Sequence, residues 1–186
     1  VLGVSFSGEL AYEIHVPNAS LHAAYLALRQ AGEPFGLQLF GARAIESMRI
    51  EKGFLHWKAD ILTEFDPFET GLARFVRLEK PNFIGKDALL ERAANGPRKR
   101  LVTLRIDADD APAHGGASLV KDGSVVGTVT SGDWGHRTGL NLAYAFVDPA
   151  CAETGCTMQA DLCGKSVDAT VIASSPYDPA MAKVRS

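Results

Sequence analysis

Ser118-Leu119-Val120-Lys121-Asp122-Gly123-Ser124-Val125-Val126-Gly127-Thr128-Val129 reads as a β-hairpin. Strand-like residues Ser118 to Lys121 and Val125 to Val129 flank Asp122-Gly123, a dipeptide that accepts the positive φ of a tight hairpin turn. The same pattern extends in both directions. Upstream, Arg100 to Ile106 is a further strand; downstream, Leu142 to Val147 is another, and Met158 to Leu162 and Val167 to Ala173 flank Gly164-Lys165. Five or six short strands in about 90 residues predict a small barrel or sandwich. The stretch Thr130-Ser131-Gly132-Asp133-Trp134-Gly135 is expected to be a tight turn, with a binding loop as the alternative.

Ahead of the strands the composition changes. Residues 1–97 hold nine Glu and three Asp, whereas residues 98–186 hold one Glu and nine Asp. Glu favours helices and Asp favours turns and caps, so a mixed helical part is expected over 1–97 and a strand-and-turn part over 98–186. The first part opens on a predicted hairpin, Val4-Ser5-Phe6 with Ala11 to Val16, in which Glu13 and His15 lie on the face opposite Tyr12, Ile14 and Val16. After Pro17 a helix runs to about Ala31, burying Leu21, Ala24, Tyr25 and Leu28 and closing at Gly32. A second helix is expected from Leu37 or Leu39 to Ile50 or Glu51, with Phe40, Ala44, Ser47 and Met48 on one face, Arg43 on its flank and Gly53 as its stop. A strand follows at Leu72 to Leu78, then a third helix over Lys86 to Ala94.

The 186 residues are 46% hydrophobic and 22% charged, with a formal charge of −3. That is enough apolar content for a core and too little charge for a disordered chain. A near-neutral balance argues against nucleic-acid binding by phosphate neutralisation. No apolar run approaches the roughly 20 residues of a membrane span. Three cysteines argue against a secreted disulfide scaffold and for a reducing, cytoplasmic compartment. Cys151, Cys156 and Cys163 lack matched partners for zinc, and His15, His22, His56, His114 and His136 are scattered without ligand spacing, so no metal is expected. Walker, GxGxxG, HExxH and GxSxG patterns are missing. The chain opens in mid-strand on Val1-Leu2-Gly3-Val4 with no initiator Met, as a piece of a longer protein would. Glu13, inside an apolar strand, either faces water or accepts hydrogen bonds in a pocket; pattern alone favours water. Arg43 either pairs with an acid such as Glu46 or reaches into a cavity.

Ordered motifs carry a family resemblance. Ser7-Gly8-Glu9-Leu10-Ala11-Tyr12-Glu13-Ile14 with Pro17 resembles the TGExGxE(I/L)xxP stretch of the aminomethyltransferase (glycine-cleavage T-protein) superfamily. Gly41-Ala42-Arg43 through Glu51-Lys52-Gly53 resembles its GxxARDSLRLExG helix. Asp60-Ile61, Pro67-Phe68-Glu69-Thr70-Gly71-Leu72, and Asn82-Phe83-Ile84-Gly85-Lys86-Asp87-Ala88-Leu89 follow in the family's order, as do Gly127 to Gly135 and Ser175-Pro176-Tyr177-Asp178-Pro179. Glu51 to Asp60 is similar to the EKGYRxWGxD form of dimethylglycine and sarcosine dehydrogenases, with Phe54 in place of the Tyr and Lys58 in place of the Gly.

The resemblance implies an α+β fold: a partial T-protein-like folate domain, antiparallel sheet with helices, over 1–97, then a small C-terminal antiparallel β-barrel over 98–186. It implies tetrahydrofolate-dependent one-carbon transfer, giving 5,10-methylenetetrahydrofolate from a small methylated amine. The family's pterin-binding Glu falls on Glu13, and its folate-flanking Arg on Arg43. Tyr12 and Trp57 are cavity-lining candidates, with core packing as the plain alternative. No catalytic residue transfers, because the family's catalytic aspartate lies in an N-terminal half upstream of these motifs. That half is therefore an expected partner, FAD is expected only in a preceding domain, and little turnover is expected of this stretch alone. The alternatives are a free-standing T-protein or folate-dependent demethylase, and a folate-binding regulatory or maturation protein on the same scaffold.

Overall fold

The structure, a computed structural model, describes residues 1–185. Helix α1 spans Leu21–Gly32, α2 Ala42–Lys52 and α3 Lys86–Asn95. They precede six strands: β1 Arg100–Ile106, β2 Ser118–Lys121, β3 Ser124–Gly135, β4 Leu140–Val147, β5 Thr157–Leu162 and β6 Lys165–Ile172. The strands close into an antiparallel barrel in the order β1-β4-β3-β2-β5-β6. The α+β class and the barrel follow the sequence reading.

Period-2 patterning builds the barrel interior. In β5, Met158, Ala160 and Leu162 are buried while Thr157, Gln159 and Asp161 face water. Leu104, Leu119, Val129, Ala143, Ala145 and Val171 complete much of the inner cluster. Strand β4 is buried on both faces. Ala143, Ala145 and Val147 point inward, and Leu142, Tyr144 and Phe146 lie on the opposite face, where Ile50 of α2 and Leu55 pack on Leu142 and Tyr144. Phe65 stacks on Phe146 with ring centroids 3.5 Å apart. This second covered face explains the nearly unbroken apolar run of β4.

Residues 130–135, expected as a turn, instead continue β3 beyond a bulge between Val129 and Ser131 and pair with β4. Their glycines serve close approach rather than turning. At Gly132 a Cβ would collide with the Ala113 backbone, and at Gly135 with Thr138 and the Glu51 side chain.

Three other expectations in the first part are corrected. The hairpin over 4–16 is replaced by one backbone pair, Leu2 with Glu13. Between them the chain bends at Gly8, where the Ser5 hydroxyl accepts the Gly8 N–H at 3.0 Å and donates to the Glu9 carbonyl at 2.6 Å. A two-stranded ladder is marginal without further strands to cover it. The stretch 72–78 is no strand but contains a 3-10 turn, Ala73–Phe75; a closed barrel has no edge to receive another strand. Helix α1 forms where expected, yet it has no buried residue. Leu21, Tyr25 and Leu28 of its apolar stripe are exposed, as is Phe40, which lies ahead of α2 rather than in it.

Candidate functional site

Helix α2 positions the join between the first part and the barrel. It starts after Gly41 and stops at Gly53, which has φ +80°. A Cβ at Gly53 would also strike the Ser174 carbonyl. The inward face of α2 is mostly polar: Ser47, Arg49, Glu51 and Lys52 are buried beside Ile50. Buried charge is costly unless it is paired and hydrogen-bonded, and each of these groups has partners.

Glu51 is fully buried. Its Oε1 accepts the backbone N–H groups of Arg137 at 2.7 Å and Thr138 at 2.8 Å, and its Oε2 accepts Arg137 Nε at 2.6 Å. Arg137 donates onward to Glu9 at 2.6 Å, to the Ser7 carbonyl at 3.2 Å and to the Met48 carbonyl at 2.5 Å. Tyr177 donates to the same Glu9 oxygen at 2.6 Å and lies under the guanidinium, 3.8 Å from its ring centroid. Lys52 donates to the Asp178 carboxylate at 2.8 Å. One helix thus ties residues 7–9, the barrel loop at 137–138 and the tail at 177–178 together.

A second knot centres on Asp60, also fully buried. It accepts Arg49 at 2.6 Å, the His56 N–H at 2.9 Å, Thr130 Oγ1 at 2.5 Å and Ser131 Oγ at 2.6 Å. A third is Glu69, which accepts the Arg98 side chain at 3.1 Å and N–H at 3.0 Å and the Asp66 N–H at 3.0 Å. Burial alone would raise the Glu69 carboxyl; the Arg98 guanidinium and the backbone donors outweigh it and hold the group below its ordinary value of 4.5. The Tyr177 hydroxyl, followed by Arg137, holds Glu9 below that value as well, against the effect of burial. Carboxylates held low stabilise the fold above their unfolded value and lose that contribution as pH falls through the folded one. The urea midpoint is therefore expected to drop as pH is lowered below about 4.5. Glu69→Gln is expected to flatten that slope, and an unchanged slope would remove Glu69 from the account.

Apart from these knots, a cavity of 640 Å³ lies between the first part and the barrel, lined by Ser5, Phe6, Phe54, Thr70, Arg74 and Tyr144 among others. Among the described residues Arg74 is the one charged side chain in its lining. Burial pushes the Tyr144 phenol well up, so it stays protonated, and it donates to the Ile50 carbonyl at 2.9 Å. A second cavity, of 370 Å³, is lined by Arg43, Glu46, Arg49, His114 and the 130–133 stretch. The residues singled out from sequence divide between these places. Arg43 lines the smaller cavity. Tyr12 and Glu13 line neither; both are exposed on the N-terminal segment, where Glu13 pairs with His15 at 3.1 Å. Trp57, like Tyr12, is 64% and 63% exposed respectively, so neither is a core aromatic of this chain. Among the described residues no group of His, Cys, Asp and Glu side chains is arranged to hold a metal ion. Among the described residues no helix is long and apolar enough to cross a membrane.

Glu51, Asp60, Glu69 and Arg137 were not singled out from sequence. The first three sit inside the quoted motifs; of the four only Glu51 lies on α2, between Gly41 and Gly53, and no local pattern points to the other three.

A closed six-stranded barrel, joined through buried ion pairs to a helical segment, defines the class. The chain belongs to the glycine cleavage T-protein (aminomethyltransferase) superfamily: residues 1–80 match the GCVT N-terminal domain and residues 99–178 the glycine cleavage T-protein C-terminal barrel domain. It is 36% identical over 170 residues to the mitochondrial dimethylglycine dehydrogenase of Homo sapiens, covering 91% of this chain and 20% of that protein. It is 35% identical over 190 residues to the mitochondrial sarcosine dehydrogenase of Mus musculus, covering 98% and 21%. The chain therefore spans about a fifth of these dehydrogenases. The crystal structure of glycine cleavage system aminomethyltransferase T from Bartonella henselae superposes with a TM-score of 0.84 at 27% identity, over 94% of this chain and 48% of that one.

Proposed function

We propose that this chain is the C-terminal, folate-binding region of a dimethylglycine or sarcosine dehydrogenase-like enzyme, acting in tetrahydrofolate-dependent one-carbon transfer from a small methylated amine. The observation that carries the reading is the identity to both dehydrogenases over more than nine-tenths of the chain. The 640 Å³ cavity supports it, since it falls in the size range of small-ligand pockets. Its aromatic and aliphatic walls suit a flat conjugated ring, and Arg74 offers a cation to a carboxylate. Tetrahydrofolate, when bound, supplies the amine that captures the one-carbon unit.

In this reading residues 1–97 are the folate part and 98–186 the barrel part of one site. Glu13 accepts the pterin N–H groups, because a carboxylate accepts two parallel donors, and Tyr12 flanks it. Both lie on the segment that contributes Ser5 and Phe6 to the cavity. Arg43, at the start of α2, lines the separate 370 Å³ cavity and serves the folate from that side. The exposed stripe Leu21, Tyr25 and Leu28 packs against a preceding part of the longer polypeptide, which brings the catalytic acid and, further upstream, the FAD domain. A reducing compartment, the cytoplasm, fits three free cysteines. A free-standing aminomethyltransferase is the second reading, favoured by the 0.84 superposition; the gene sequence upstream of Val1 decides between them.

Titration of the full-length protein with tetrahydrofolate tests the site. Glu13→Gln exchanges charge-assisted hydrogen bonds for neutral ones and is expected to weaken binding on the order of tenfold. Unchanged affinity removes Glu13 from the pocket.

A further inference from the structure

A third cavity, of 460 Å³, lies where the chain at 58–65 passes over β3 and β4. It shares no residue with the 640 Å³ cavity and borders the 370 Å³ one at Gly115 and Thr130. Leu62, Phe65, Val129 and Phe146 give it apolar walls, one of them fixed by the stacking of Phe65 on Phe146. Its volume falls in the range of small-ligand sites.

Two lysines line this cavity, and they are not equivalent. Lys99 Nζ donates to the Asp148 carboxylate at 2.6 Å and to the Val126 carbonyl at 3.2 Å, so its charge is already matched. The exposed Lys58 ammonium has no partner among the described residues. The Lys58 backbone has φ +69°, in the left-handed region that suits glycine and strains a lysine. Its surroundings hold that conformation in place. The Lys58 N–H donates to the Ile61 carbonyl at 3.2 Å and the Asp60 N–H to the His56 carbonyl at 2.9 Å, closing the turn. The fully buried Asp60 carboxylate ties this turn to β3, accepting Thr130 at 2.5 Å and Ser131 at 2.6 Å. A pinned turn thus carries a free cation at the edge of an apolar cavity, at a backbone cost that glycine would not incur.

We propose that this cavity binds a small carboxylate with a flat apolar body, its anion on the Lys58 ammonium and its body against Leu62, Phe65 and Phe146. Charge sets the orientation. Lys58 is free to take the carboxylate, whereas Asp148 beside Lys99 disfavours an anion at that wall. The Lys58 stem can lie on apolar surface while its ammonium stays at the rim. A neutral molecule of the same shape gains the walls without the cation. The inference does not rest on the folate reading.

The test titrates the whole chain with naphthoate and with naphthylmethanol, its neutral counterpart, by calorimetry. Naphthoate is expected to bind about fivefold more tightly than the alcohol, the size of an exposed ion pair, and the advantage shrinks as salt is raised. Lys58→Gln is expected to bring naphthoate down to the affinity of the alcohol and to leave the alcohol unchanged. Lys58→Gly is expected to do the same while raising the thermal midpoint, because glycine accepts the positive φ without strain. Thr128→Trp, at an exposed β3 position that lines the cavity, is expected to abolish binding of both probes, with circular dichroism confirming the fold. The proposal is overturned if naphthoate does not bind at millimolar concentration, if Lys58→Gln binds it as tightly as before, or if binding survives Thr128→Trp. Displacement of naphthoate by tetrahydrofolate also overturns it, making the cavity part of the folate site, and a lowered midpoint in Lys58→Gly makes Lys58 a structural residue instead.

Discussion

Asp60→Ala is expected to lower the stability of the chain by about 3–5 kcal/mol, the cost of leaving a buried charge without its partner. Asp60 is fully buried, and Arg49, its partner, is 3% exposed. The substitution leaves the Arg49 guanidinium with Glu46 at 2.9 Å and the Phe54 carbonyl at 3.3 Å, both weaker anchors than the lost 2.6 Å contact. It also orphans the Ser131 hydroxyl and the His56 N–H, and leaves the Thr130 hydroxyl only the longer contact to the Tyr144 carbonyl at 3.3 Å. Arg49 further lies over the Tyr144 ring, 5.4 Å from its centroid, so loosening it disturbs the outer face of β4. For a chain of this size the thermal midpoint is expected to fall by about 6–20 °C. Asp60→Asn keeps the shape and removes the charge, and is expected to cost less. A loss under about 1 kcal/mol for Asp60→Ala would mean that water replaces the carboxylate and that the site is not dry.

The legible and illegible parts of this fold separate by physical cause. The barrel was legible because period-2 patterning and the Asp122-Gly123 turn are local signals, and β1, β2 and α3 fall within a residue of their expected bounds. Helix α1 was legible as a helix, but its stripe reports only that a face wants cover, not that these residues supply the cover. The buried polar face of α2 was not legible from pattern. Arg49 finds Asp60 eleven residues away, which is near, but Glu51 finds Arg137 eighty-six residues on. A binary reading sends such charges to water unless the distant partner is known. The same limit governs the candidate site. Arg43 flanks a cavity as one of its two readings allowed, while Glu13 faces water, as its pattern favoured, on a segment whose neighbours fix where it points.

Arg137→Met is expected to act on that placement. Arg137 touches Glu51, Glu9, the Ser7 and Met48 carbonyls and the Tyr177 ring together. Removing its charge strands Glu51, fully buried, with two backbone donors and the Thr138 hydroxyl as its remaining partners. Because Arg137 is itself 20% exposed, water softens the penalty, and the expected cost is about 2–4 kcal/mol rather than the full buried-pair value. The double variant Glu51→Gln/Arg137→Met is expected to be less destabilised than the sum of the two singles, since the stranded charge is gone; the cycle measures the coupling. The larger consequence is local. Residues 7–9 lose their anchor, so early proteolysis is expected between Ser5 and Pro17 while the barrel stays protected. Tyr12 and Glu13 ride on that segment. If they hold the pterin, Arg137→Met weakens tetrahydrofolate binding in the full-length protein without touching the ligand, and Arg137→Lys restores part of it. Increased proteolysis with undiminished folate affinity would separate the two, leaving Arg137 a staple of the fold and moving the pterin site off the N-terminal segment.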